Sequence, residues 1–353
     1  MERLVPDVTG FDPALAGRML ATVACTDADV IPKVSDAGES RDHDGTRVQV
    51  MHNGLLVEEG GYYGAWMSEV IRALRGHHEP QEELVFHRIL ERLAADGGAP
   101  AMIEFGSFWL YYGLWFCHVL PRGRVVGLEP DPAWLDVGRR NAALNGCEDR
   151  IRFVQAAVGA EPGRPLAFEA ESDGQTHTVP QHDLASLMAE TGLDHVDLVL
   201  ADVQGAETIL LDRARGDFEA GRVRFLVVST HHHTISGDPL THQNALRQLR
   251  DAGAHLIAEH AVGESVSGDG LIAVSFDRAT RTSPSRSPTP ATATPSPAKS
   301  NTTSPPRSAA PSTSNANWPA RPPNATTSRR NSRPSSPPSS GGGRRSPARS
   351  MPA

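Results

Sequence analysis

Four short stretches of this 353-residue chain hold residues whose types and spacing could do chemistry. The first is Glu104-Phe105-Gly106-Ser107, an acid and a glycine at the end of an apolar run and ahead of a helical pattern. A glycine at such a turn lets backbone approach a ligand, and the following helix offers free N–H groups. The second is Val125-Val126-Gly127-Leu128-Glu129-Pro130-Asp131, in which Glu129 follows Glu104 by 25 residues. An acid at the tip of a second strand is placed to accept hydrogen bonds from both hydroxyls of a ribose. The third and fourth stretches, Asp202-Val203-Gln204-Gly205-Ala206-Glu207 and His231-His232-His233, supply carboxylates and imidazoles. Such groups accept protons in catalysis, and histidine titrates close to neutral pH.

A dinucleotide fold requires G-x-G-x-x-G to accommodate a pyrophosphate, and after Gly106 the next glycine is Gly113. Nicotinamide cofactors are therefore disfavoured. A one-glycine turn with a ribose acid suits S-adenosylmethionine, a nucleoside carrying a sulfonium and an amino acid. Glu104 would then sit beside its cationic end, and Gly106, Ser107, Glu129, Pro130, Asp131 and Ala157 would complete the cofactor site. For the adenine amine, Gln155 or the backbone at Ala156 and Ala157 would have to serve. Asp202, Glu207 and the three histidines could also ligate a hard or borderline metal. Their spacing contains no H-x-x-x-H or comparable pattern, so a metal is not expected.

The elements that must position these residues follow from periodicity. Strands are predicted over 101–105, 124–129, 151–156, 196–201, 224–229, 255–259 and 271–276, with helices over 111–120, 132–145, 183–190, 205–214 and 240–252. This alternation predicts an α/β fold with a doubly wound, mixed seven-stranded sheet, which binds ligands beyond the carboxyl ends of its strands. Trp66, Met67, Val70, Ile71 and Leu74 recur at helical spacing, and a second helix opens at Pro80 with Glu82 and Glu83 in its first turn. The polar stretches 77–83, 237–242 and 267–270 are further candidates to line an acceptor pocket. The domain reading is an irregular extension over 1–60 with one short helix near 13–23, a helical cap over 61–100, a catalytic domain over 101–278 and a tail over 279–353.

Glu129-Pro130-Asp131, Asn141, Asn145-Gly146, Ala156-Ala157-Val158-Gly159 and Asp202-Val203-Gln204-Gly205-Ala206-Glu207 occur in an order and spacing that resembles the FkbM family of S-adenosylmethionine-dependent methyltransferases. The similarity runs from about Met102 to Phe276. Against the family's usual pattern, Glu104 stands for Asp, Phe108 for Asn and Gln204 for Glu. The resemblance implies a Rossmann-like class I methyltransferase fold and transfer of a methyl group to a hydroxyl of a small molecule or glycan. In such an enzyme His231 or His232 would be the general base, and Asp202 would orient a cofactor or substrate group. The alternative is a catalytically silent protein that binds S-adenosylmethionine for regulation or scaffolding.

Composition narrows the partners. The segment 279–353 holds 11 Lys and Arg, no Asp or Glu, and 16 Pro, leaving 23 basic against 42 acidic residues in the first 278 positions. A body this acidic disfavours nucleic acid as a partner except through the basic tail. The tail is too poor in large apolar residues to offset chain entropy and is expected to be disordered. No run of about 18 apolar residues could span a bilayer, and Asp7, Asp12 and Arg18 interrupt the start, so a cytoplasmic protein with no membrane partner is expected. Cys25, Cys117 and Cys147 are widely spaced and expected to be reduced.

Overall fold

The computed structural model describes residues 4–277, so the expected tail over 279–353 lies outside the described residues. The chain opens with α1 (Pro13–Ala24), whose cap Asp12 accepts hydrogen bonds from the Ala14 and Leu15 amides. Three short strands follow, β1 (Ser40–His43), β2 (Thr46–Val50) and β3 (Leu56–Glu58), in an antiparallel sheet. Irregular chain was expected here. The signal was Asp44-Gly45, both at positive φ, a pair suited to a tight hairpin. It was masked because β1 is polar throughout and only Val48, Val50 and Leu56 form the sheet's small apolar cluster.

Helices α2 (Ala65–Ala73) and α3 (Pro80–Asp96) then lead into the main sheet. Its elements are β4 (Ala101–Phe105), α4 (Tyr111–Val119), β5 (Arg124–Leu128), α5 (Pro132–Leu144), β6 (Ile151–Val154), β7 (Ala157–Val158), β8 (Pro165–Glu169), β9 (Thr176–His182) and α6 (Leu184–Thr191). After these come β10 (Val196–Ala201), α7 (Glu207–Glu219), β11 (Val223–Thr230), α8 (His233–Ser236), α9 (Thr241–Asp251), β12 (His255–His260) and β13 (Gly270–Ser275). The seven strands predicted from periodicity form one sheet in the order β12-β13-β11-β10-β4-β5-β6. Its β4, β5, β6, β10 and β11 are parallel, and β13 runs antiparallel to both β11 and β12.

Side chains alternate between two cores, as a pleated sheet covered on both faces requires. Met102, Leu198, Leu200, Phe225 and Val227 pack against the side that holds α2, α3 and α4. Ile103, Phe105, Val199, Leu226 and Val228 pack toward α6, α7 and α9. Strand order reverses between β4 and β10, so their carboxyl ends open a crevice at a topological switch point. A hairpin of β8 and β9, with β7 beside β9, extends over this end of the sheet; periodicity did not reveal it. No helix among the described residues is long and apolar enough to cross a membrane.

The extension is bound to the sheet through α3. Phe86 is fully buried, with ring centroids 4.8 Å from Tyr112 and 5.3 Å from Trp115 of α4. Replacing it leaves a void that close-packed neighbours cannot fill. Phe86→Ala is expected to lower stability by about 3–5 kcal/mol in urea unfolding, and a loss under about 1 kcal/mol would show that α3 is a loosely attached cap.

Candidate functional site

Gly106, at φ 76° directly after β4, sits so close to the chain after β10 that a Cβ there would lie 1.8 Å from the Asp202 carbonyl oxygen. Only glycine can occupy this turn. The Asp202 amide donates to the Phe105 carbonyl at 2.9 Å, and the Gly106 and Ser107 amides donate to the Leu128 carbonyl at 2.9 and 3.0 Å. The loops after β4, β5 and β10 are thereby drawn together around a cavity of about 360 Å³.

All seven residues expected to hold a cofactor, Glu104, Gly106, Ser107, Glu129, Pro130, Asp131 and Ala157, line this cavity. Glu129 is buried and receives one backbone donor on each oxygen, Phe108 N at 3.1 Å and Asp131 N at 2.9 Å. Each oxygen keeps acceptor capacity, as recognition of a vicinal diol requires. Burial, opposed by these two amides, pushes its pKa up to about 8. Glu104 accepts from the Gly113 amide of α4 at 2.9 Å, and burial holds its carboxyl well above the usual range. Ser107 Oγ is buried without a protein partner, which suits a ligand contact. Asp131 is committed to the protein: it caps α5 through the Ala133 and Trp134 amides and accepts from Ser172 N at 3.1 Å and Ser172 Oγ at 2.8 Å. These bonds tie the hairpin to the loop after β5.

Of the three residues expected to be catalytic, Asp202 and His231 come together and His232 does not. Asp202 lines the cavity. His231 lies fully buried next to it, with Nε2 3.1 Å from Asp202 Oδ1 and Nδ1 2.5 Å from Glu207 Oε1. Burial disfavours charge on this ring, yet the two carboxylates outweigh that cost and hold its pKa well above the usual imidazole value. His232 does not join them. Its Nδ1 accepts from the Thr234 amide at the start of α8, and its ring packs on His233, because the chain turns away after Thr230.

Asp202, Glu207 and the histidines do not converge on one point, since the two carboxylates occupy opposite nitrogens of one ring. The group whose ligand atoms converge among the described residues is His52, His77 and Glu83, all buried. His52 accepts or donates at Tyr111 Oη over 2.8 Å, and His77 pairs with Glu83. Burial, aided by His77, lowers the His52 pKa to about 3.

Sequence reasoning missed several walls of the cavity. Tyr62 and Tyr63 precede α2, and Leu166, Phe168, Glu169 and Glu171 come from the hairpin, whose turn at Gly174 was its one readable signal. Glu79 and Glu82 lie in the stretch flagged as a possible pocket lining, although the first turn of a helix explained Glu82 equally well. Burial is the main cause that raises their pKa values, to about 8 for Glu79 and about 7 for Glu82.

These raised acids set the sign of the pH dependence. The folded chain keeps protons on Glu79, Glu82 and Glu129 at pH values where unfolded carboxyls, with pKa about 4.3, have lost them. Stability therefore falls as pH rises through this interval. His231 acts in the same sense, its contribution being complete below about 6.5 and lost as pH passes its folded value. His52, lowered to about 3, opposes this only at lower pH. The ligand-free chain should thus lose stability from about pH 6.5 to about pH 8 in urea titrations at constant ionic strength, with a shallower slope in Glu82→Gln. A midpoint that climbs over that interval would contradict the buried, protonated state of these acids.

Comparison with known proteins now bears on this site. Residues 96–256 match the Methyltransferase FkbM domain. An 81-residue stretch, 22% of this chain, is 37% identical to the release factor glutamine methyltransferase of Chlorobaculum tepidum and spans 28% of that protein. The chain thus covers just over a quarter of the length of this curated relative. Among solved structures, the METTL16 methyltransferase domain aligns with a TM-score of 0.39 at 17% identity, covering 56% of this chain and 68% of that one. An O-methyltransferase from Bacillus cereus in complex with SAH aligns with a TM-score of 0.36 at 16% identity, covering 54% of this chain and 80% of that one. Residues 96–256 thus carry the match to the FkbM methyltransferase family, and the match indicates S-adenosylmethionine as the methyl donor.

Proposed function

We propose that the chain is an O-methyltransferase that moves a methyl group from S-adenosylmethionine to a hydroxyl of a small molecule or glycan. The observation that carries this reading is Asp202, a carboxylate that faces the cavity at the switch point and is backed by the buried His231. Glu129 would hold the ribose hydroxyls, Ser107 and the turn at Gly106 would meet the backbone-like part of the donor, and Glu104 would face its ammonium. When bound, S-adenosylmethionine supplies an activated sulfonium methyl that needs no further chemical activation.

The protein's task is then to orient the acceptor and take its proton. Asp202 is the group placed to do this. His231 already carries a proton between two carboxylates, so its task is to fix the orientation of Asp202. Glu207, fully buried and hydrogen-bonded to the Gly205 amide at 3.0 Å, anchors that ring in turn. His232 takes no part in this arrangement.

Two measurements test the reading. Glu129→Ala should weaken binding of S-adenosylhomocysteine by about 1–3 kcal/mol in calorimetry, the cost of leaving buried hydroxyls unpaired; wild-type affinity would remove the ribose assignment. Asp202→Asn should lower methyl transfer from isotope-labelled donor by about 100-fold or more while donor affinity stays within about twofold. Turnover equal to wild type in that variant would reject the proton-accepting role.

A further inference from the structure

The acceptor side of the cavity is charged in a way the donor does not explain. Glu79 and Glu82 of the α3 entry face it, and with Asp202 and Asp269 they bound a small adjoining hollow before β13. Among the described residues no Lys or Arg lines either space. His78 does line the cavity; its Nδ1 is held by Glu83 Oε1 at 2.6 Å and its Nε2 lies 3.6 Å from Glu79 Oε2, so Glu79 is partly paired while Glu82 meets the Ser229 and Tyr112 hydroxyls. After burial, the further causes that raise Glu79 and Glu82 include the carboxylates of Asp202 and Asp269. Acids crowded together out of water favour a bound cation.

The remaining wall is aromatic. Tyr62 stacks on Trp109 with ring centroids 4.4 Å apart, and Tyr63 and Tyr112 stand beside them at the cavity surface. Ring faces attract ammonium groups, most strongly where water is excluded. Tyr112 is buried with its hydroxyl against Glu82, so the aromatic wall and the acid meet at one point of the cavity. Glu104 and Glu129, at the ends of β4 and β5, serve the donor in the reading above. Tyr62, Tyr63, Glu79, Glu82 and Asp269 instead lie outside the family-matched stretch 96–256. The charged and aromatic wall thus combines residues from outside the matched stretch with Trp109, Tyr112 and Asp202 from within it.

We propose that the acceptor is a cationic hydroxyl compound, an amino alcohol or amino sugar whose ammonium sits between Glu79, Glu82 and the aromatic wall while its hydroxyl meets Asp202. This rests on the methyltransferase reading. Neutral glycans and neutral polyketide-like alcohols are then poorer substrates, because they leave Glu79 and Glu82 protonated and gain no ion pair, whereas an ammonium favours release of those protons.

The test compares choline with its uncharged carbon isostere, dimethylbutanol, on the full chain saturated with S-adenosylhomocysteine. The two probes share shape and hydroxyl and differ in charge. Calorimetric titration should show choline binding about tenfold or more tightly than the isostere. Glu82→Gln should shrink that preference without changing affinity for S-adenosylhomocysteine. Equal or tighter binding of the isostere, or absence of choline binding by the saturated chain, overturns the proposal and leaves the methyltransferase reading standing. Failure of the wild-type chain to bind S-adenosylhomocysteine overturns that reading, and the acceptor assignment falls with it.

Discussion

The contact on which the site depends is the approach of Gly106 to the Asp202 backbone. It joins the ends of two parallel strands that are adjacent in the sheet yet almost a hundred residues apart in the chain. A side chain at 106 would force the turn away from β10 and open the crevice between them. Because the Gly106 and Ser107 amides also bond the end of β5, one turn sets the relative positions of Glu104, Ser107, Glu129 and Asp202. The proposed ligand contacts and proton acceptor are therefore placed by backbone geometry, with side-chain packing in support.

Behind that turn the protein holds charge out of water by pairing it. His231 lies between Asp202 and Glu207, and Glu83 receives both His77 and His78. An unpaired buried charge would be costly, and each of these groups finds an opposite partner. Four acids that face the cavity, Glu79, Glu82, Glu104 and Glu129, are less fully compensated by the protein, with His78 near Glu79, the Ser229 hydroxyl on Glu82 and backbone amides on the other two, and burial raises the pKa of all four. The contrast separates groups paired behind the site from acids that line its cavity.

The N-terminal extension has more than a covering role. Its α3 packs on α4 through Phe86 and carries Glu79 and Glu82 to the cavity from the same helix. One amphipathic element thus binds the extension to the domain with its apolar face and shapes the site with its first turn. The hairpin of β8 and β9 works in parallel on the other side, tied down through Ser172 and Asp131.

Much of this was determined by local sequence. The seven strands of the main sheet, their helices and the seven residues that share one cavity lining were legible because period-2 apolar runs, cap residues and the Glu104-to-Glu129 spacing can be read along the chain. The small sheet of β1 to β3 escaped detection because its strands are short and β1 is polar, and β3 is held by distant residues, Asn141 of α5 and Asn145 just after it. The three neighbouring histidines could not be told apart by sequence, since their chemistry is identical. Only the tertiary structure decided that His231 turns inward to two carboxylates and His232 outward to cap α8, because a ring's charge and access depend on what the rest of the chain packs around it.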